Sequence, residues 1–372
     1  MTADLWRSAG WLRAPAIGVA LALLAGGAHA VTPLVVAGGG GGAGGDSAFG
    51  VVRPGAGGTA TTSGSEVPDC FRCGDSTIGG VGGMGGPGGA VSTIGEPVAG
   101  GGGAGIFGPG GEGTGLLVHA GNTFLGDPAT AGWGGASSPS FAGGLGVNYD
   151  GVYANGGFGG GGGGGLSGGG GGGGYSGGSG GDDQGGGGGG SFIAASLSPV
   201  QEVGGQNGDP TEGDPGLNGW VSINGVIWST PGVYDYRVPT SGVLDITAVG
   251  AQGGGDEYTV PPYSCPSSGG VCGGNTFWAV GGYGAVAEGS GTFGAGQLLE
   301  IVVGGAGNQG DVPNFNYGGA GGGGGSFVLA LPEPAAWLVM VLGFGAVGVA
   351  MRRARRQGAS RGTSGAAAER RS

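Results

Sequence analysis

The chain has 372 residues, 112 of them glycine, and a formal charge of −12; all 12 basic residues are arginine. Without lysine there is no P-loop lysine, no Schiff base and no kinase-type phosphate lysine. Of the two histidines, His29 falls in the N-terminal leader read below, so His119 alone remains and a multi-histidine metal site is excluded; the acidic balance argues against nucleic acid, whose phosphates are neutralised by Lys and Arg.

Arg7 and Arg13 precede an apolar stretch over residues 14–26, and Ala28-His29-Ala30 follows. These are the charged, apolar and small-x-small regions of a cleavable export signal, with Ala28 and Ala30 framing the cut. The stretch falls short of the about 20 residues of a membrane span. Residues 1–30 therefore read as a signal peptide rather than an uncleaved anchor, leaving Val31 first in the mature chain.

Residues 31–224 read as a first glycine-rich unit. Leu34-Val35-Val36 predicts an opening strand, and Phe192-Ile193 and Trp220-Val221-Ser222-Ile223 predict late ones. Oligoglycine fills 159–165, 168–174 and 185–190. Each glycine costs about 1 kcal/mol relative to alanine in an α-helix, so helix is excluded. With no strict three-residue period, collagen is excluded too. Two states stay open. One is an extended helix with three residues per turn, packed side by side and bonded laterally, in which any inward Cβ would wedge the bundle apart. The other is a flexible or disordered linker.

Residues 225–331 read as a second, better-patterned unit. In Val233 to Val238, Tyr234, Tyr236 and Val238 share a face. After the turn Pro239-Thr240-Ser241-Gly242, Leu244, Ile246 and Ala248 share another. Two alternating runs across a four-residue loop predict a hairpin. Tyr283 to Glu288 and Leu298 to Val303 predict further strands, the latter aligning Leu299, Ile301 and Val303. Ser326 to Leu329 predicts an edge strand. The oligoglycine-Ser-Phe element before Phe192 recurs before Phe327, which suggests internal duplication. The expected fold class is all-β: sandwich-like units with oligoglycine insertions, a signal helix in front and a transmembrane helix behind.

Tyr236-Arg237-Val238-Pro239, Ile246 to Gly254, Leu299 to Gly304 and the block from Gly156-Gly157-Phe158 to Ser191-Phe192 resemble the extracellular glycine-rich domain of anaplastic lymphoma kinase and leukocyte tyrosine kinase receptors. The resemblance implies polyglycine helices packed on a β-sandwich and a protein ligand, and no phosphotransfer. The oligoglycine block here precedes the patterned strands, a different order.

Residues 335–351 form an apolar run, spanning roughly 26 Å as helix, a little under a hydrocarbon core. Arg352, Arg353, Arg355 and Arg356 follow and are expected to stay cytoplasmic. Pro332-Glu333-Pro334, Trp337, the glycine-punctuated run and this arginine cluster, over residues 332–356, resemble the PEP-CTERM sorting signal of Gram-negative bacteria. The resemblance implies processing by an exosortase and association with exopolysaccharide and biofilm matrix. A basic polar tail, 357–372, departs from that pattern. Cutting at both signals to leave 31–334 removes Asp4 and Glu369 and spares only Arg53, Arg72 and Arg237, so 22 acids against 3 bases give −19.

Four cysteines in an exported chain point to disulfides: Cys70 with Cys73 and Cys265 with Cys272 are the expected pairs, with a redox C-x-x-C and zinc as alternatives. Gly177 to Asp183 resembles a single calcium-binding repeat of repeat-in-toxin proteins, but no tandem copies stack on it. His119, beside Leu116-Leu117-Val118, reads as a strand residue. Asp256-Glu257 reads as solvated acids on a loop rather than the separated carboxylates of a hydrolase.

No catalytic residue, metal or cofactor is expected. The reading is a non-enzymatic, exported structural or adhesive protein of the cell envelope or matrix. Its partners are signal peptidase, the export machinery, an exosortase-type enzyme and an exopolysaccharide or surface protein. The alternative is a binding module for glycan or protein, with Tyr234, Tyr236, Trp278 and Tyr283 as stacking candidates.

Overall fold

The computed structural model describes residues 31–46, 51–65, 99–113, 116–119, 122–125, 131–149, 152–182, 184–208, 216–259, 263–264, 271–272, 276–310, 318–332 and 351–352. Thr32–Ala330 forms one compact unit, and among its described residues it is all-β. The expected signal peptide, residues 1–30, and most of the apolar tail lie outside the described residues, within which no helix is long and apolar enough to cross a membrane.

Ten strands build two antiparallel sheets: β1 (Thr32–Ala37), β2 (Phe192–Ile193), β3 (Ser198–Val203), β4 (Trp220–Ile223), β5 (Val226–Trp228), β6 (Gly232–Arg237), β7 (Gly242–Val249), β8 (Val286–Phe293), β9 (Leu298–Val303) and β10 (Ser326–Ala330). The first sheet runs β6-β9-β10-β1-β2 and the second β5-β4-β7-β8-β3. Their facing sides share one apolar core. The first sheet gives Val35, Leu299, Ile301, Val303 and Val328; the second gives Val221, Ile223, Leu244, Ile246, Ala248 and Phe293. The side-chain faces expected for β6, β7 and β9 are the faces that are buried.

Their partners differ from expectation. β6 and β7 do not pair with each other: β6 pairs with β9, while β7 pairs with β4 and β8. The turn over 238–241 therefore carries the chain from one sheet to the other. The two apolar faces meet across the core instead of lying side by side. β10 is not an edge but lies between β9 and β1. The expected strand at Tyr283 begins instead at Val286. Strands from both sides of residue 225 mix in both sheets, so that boundary does not separate two bodies. It cuts a tight hairpin: Ile223 pairs with Val226 across Asn224-Gly225. Both turn residues have positive φ, 49° and 81°, the backbone of the favoured Asn-Gly hairpin turn.

Strands run on into glycine segments, and these form a bundle held by backbone hydrogen bonds. Residues 38–43 continue β1. Gly39 and Gly42 donate to Gly173 and Gly170, Gly40 and Ala43 donate to Ala251 and Gly254, and Gly41 donates to Ala56, all at 2.8–2.9 Å. Their carbonyls accept from three other segments: Gly38 and Gly41 from Ala285 and Gly282, Gly39 and Gly42 from Gly189 and Gly186, Gly40 and Ala43 from Gly323 and Ala320. Every third residue meets the same neighbour, as a helix of three residues per turn requires. Residues 168–174 and 318–325 are likewise ringed by bonded neighbours, and all three central segments bond one another: Gly170 donates to Ala320, Gly173 to Gly323 and Gly323 to Gly40. The oligoglycine runs are thus not linkers. The backbone satisfies itself sideways, and spacing is set by glycine. A Cβ built on Gly172 would fall on the Gly39 carbonyl, and one on Gly322 on the Gly171 carbonyl.

The recurring Gly-Ser-Phe element has a structural counterpart. β2 and β10 flank β1 on either side. At the head of one, Ser191 accepts from Gly38 N–H at 3.1 Å and donates to the Thr59 carbonyl at 2.6 Å. At the head of the other, Ser326 accepts from Gly304 N–H at 3.0 Å and donates to the Val249 carbonyl at 2.7 Å. Each buried hydroxyl joins backbone groups that neither the sheet ladders nor the bundle would pair, where the chain passes from one to the other.

Candidate functional site

The outward side of the second sheet holds half-buried and exposed residues. Alternation directs Leu244, Ile246 and Ala248 of β7 into the core and leaves Val243, Asp245, Thr247 and Val249 outside. On β8 the outward residues are Val286, Glu288, Ser290 and Thr292. Register then sorts the face into strips. Trp220, Val249, Val286 and Val203 lie abreast across four strands. The next strip is Ser222, Thr247, Glu288 and Gln201. Asp245 and Ser290 sit abreast in the third. None of these residues is buried. Strands stand about 4.8 Å apart and successive strips about 7 Å apart. The face therefore sets one apolar strip beside hydroxyl, amide and carboxylate groups, and among the described residues no cation stands in it.

Glu202, on β3 at the edge of this sheet, pairs with core residue Ala287. It leans toward the core side, and the loss of water there raises its pKa.

Of the aromatic residues singled out in the sequence, Tyr234 and Tyr236 share a face of β6, while Trp278 and Tyr283 lie on other elements. Tyr234 and Tyr236 pack partly buried against the core. Tyr234 donates to the Thr230 carbonyl at 2.8 Å, and Tyr236 meets Trp228 edge-on at 5.7 Å between ring centroids. Trp278, 37% exposed, lies on the separate hairpin of Asp256–Thr259 with Thr276–Ala279. Tyr283 belongs to a bundle segment, its N–H donating to the Gln206 carbonyl.

Asp256 and Glu257 are on a strand, not a loop. Asp256 is buried. Gly178 and Gly181 donate to Gly172 and Gly169, which makes the segment resembling a calcium repeat part of the glycine bundle, with Asp182 buried in it. Among the described residues no group of three or more His, Cys, Asp or Glu could hold a metal. His119 ends a strand, Leu116–His119, as expected.

Pro332 and Arg352 are among the described residues; Glu333, Pro334, Arg353, Arg355, Arg356, Ala28, Ala30, Cys70, Cys73 and Cys265 lie outside them. Cys272 is on a short strand opposite Tyr263, and its expected partner Cys265 is outside the description. The strips of the outward face escaped the sequence reading. Its alternating positions were legible in β7, but which strand lies beside which is set by register, and register is not written in either strand alone. No protein-family model, curated protein or solved structure matches this chain.

Proposed function

We propose that this chain is an exported structural or adhesive protein of the cell envelope or extracellular matrix, directed by a signal peptide and by a PEP-CTERM-like tail. The observation that carries the reading is the pairing of two terminal sorting signals with a body whose glycine bundle is a scaffold of backbone alone. Such a bundle presents few side chains for chemistry, and its lateral bonding suits a load-bearing or spacing role. The acidic body left after trimming stays soluble by self-repulsion. In this reading Pro332-Glu333-Pro334 marks the processing region, residues 335–351 span the membrane until removal, and the arginine cluster holds the tail inside. The polyglycine-on-sandwich arrangement implied by the receptor resemblance fits a body of two sheets and a bundle.

Intact mass of the protein recovered from envelope and medium tests it. A species running from about Val31 to residues 332–334 is expected. A species that keeps Arg352 to Arg356 would make the protein tail-anchored and overturn the sorting role. A second reading, a binding module on the same body, is favoured by the part-exposed, strip-patterned face of the second sheet.

A further inference from the structure

We propose that the outward face of the second sheet binds an extended polysaccharide carrying free amino groups. The inference rests on the binding-module reading and names its ligand class.

Charge complementarity selects the ligand. Asp245 and Glu288 stand on neighbouring strands, offset by one strip: Asp245 is abreast of Ser290, and Glu288 of Thr247. Diagonal positions of this kind lie about 7–8 Å apart, so one chain lying across the face reaches both. Among the described residues no arginine stands on the face, and the chain has no lysine. A polyanion, an acidic lipid surface or a phosphorylated partner would meet like charge without compensation. A second copy docked through this face would set the same carboxylates against each other.

Shape selects the rest. A pyranose has an apolar C–H side and a rim of polar groups. The strip of Trp220, Val249 and Val286 offers the apolar partner, and the strip of Thr247 and Glu288 beside it offers acceptors and a hydroxyl. A peptide gains much of its affinity by adding its backbone to a strand edge; this face offers only side chains. The face is also several strands wide, which suits a polymer lying along it rather than a small molecule enclosed in a pocket.

The test is calorimetric titration of the purified protein with a glucosamine hexamer bearing free amines, at about 0.15 M salt to screen bulk charge. Three comparisons accompany it: the fully N-acetylated hexamer, a hexalysine peptide, and the double variant Asp245→Asn/Glu288→Gln. A control double variant, Asp235→Asn/Glu112→Gln, removes the same charge from exposed positions elsewhere. The amine hexamer is expected to bind and to weaken at least tenfold in the face variant but less than twofold in the control. Trp220→Ala is expected to weaken it as well, with folding verified by circular dichroism. Four results would overturn the proposal: no binding, equal binding of the acetylated hexamer, equal loss in the control variant, or hexalysine bound as tightly and with the same sensitivity. The last would assign the face to a basic protein. Any of these leaves the terminal trimming seen by mass untouched, so failure of the ligand is distinguishable from failure of the sorting reading.

Discussion

At the scale of single residues, the molecule treats its glycines in two opposite ways. Gly172 lies inside the bundle, where a methyl would press on the Gly39 carbonyl, an atom fixed by its own bond from Gly189. Gly172→Ala is expected to cost about 1–3 kcal/mol, as overpacking of a tight interior does. Gly242, at the start of β7, has nothing within 4 Å of an added Cβ. Gly242→Ala is expected to be neutral or to stabilise by up to about 1 kcal/mol, by restricting the unfolded chain. Urea denaturation of both variants checks the contrast, and equal effects would remove the close-packing account. Glu202 gives a pH signature. Its pKa is raised in the folded state, so its contribution to stability is present below the unfolded carboxylate range and is lost as pH rises through the raised value. Stability just above the ordinary carboxylate range is expected to fall less steeply with rising pH in Glu202→Gln than in the parent. A parallel slope would show that the carboxyl is fully hydrated.

At the scale of elements, alternation made strands legible and left their neighbours hidden. Tyr234, Tyr236, Leu244 and Ile246 announced which faces are buried, because a period of two has one physical reading. The same pattern fits strands side by side in a hairpin or opposed across a core, and β6 and β7 adopt the second. The Asn224-Gly225 turn was legible in principle, since the dipeptide is a strong hairpin signal, yet its flanking strands are short. The glycine runs were least legible, because the bonding partner of each lies up to hundreds of residues away and no side chain records it. The hairpin of β4 and β5 can be tested directly. Asn224 holds φ at 49°, and its side-chain oxygen accepts from Asp245 N–H at 2.8 Å. Asn224→Ala is expected to cost about 1–2 kcal/mol for the left-handed backbone alone, while Asn224→Gly restores the backbone freedom and recovers most of it. Thermal melts of the two variants decide this, and equal melting would place the turn's stability elsewhere.

At the scale of the whole molecule, sandwich and bundle share their chain. β1 runs into residues 38–43 and residues 318–325 run into β10, so a central bundle segment is continuous with a central strand in each case. Deleting everything from residue 318 onward removes β10 from between β9 and β1 and one of the three inner segments of the bundle. The truncated chain is expected to lose strand signal by circular dichroism and glycine amide protection by hydrogen exchange together. A residual folded bundle, or a residual sandwich, would show two independent units. The pairing of β1 with β10, Thr32 opposite Ala330, also sets a clock. The first strand made waits for the last, and residues 38–43 wait for residues 318–325, so neither part can close until synthesis has passed residue 330. Closure across this longest loop therefore comes last, after every other strand of the two sheets has been made.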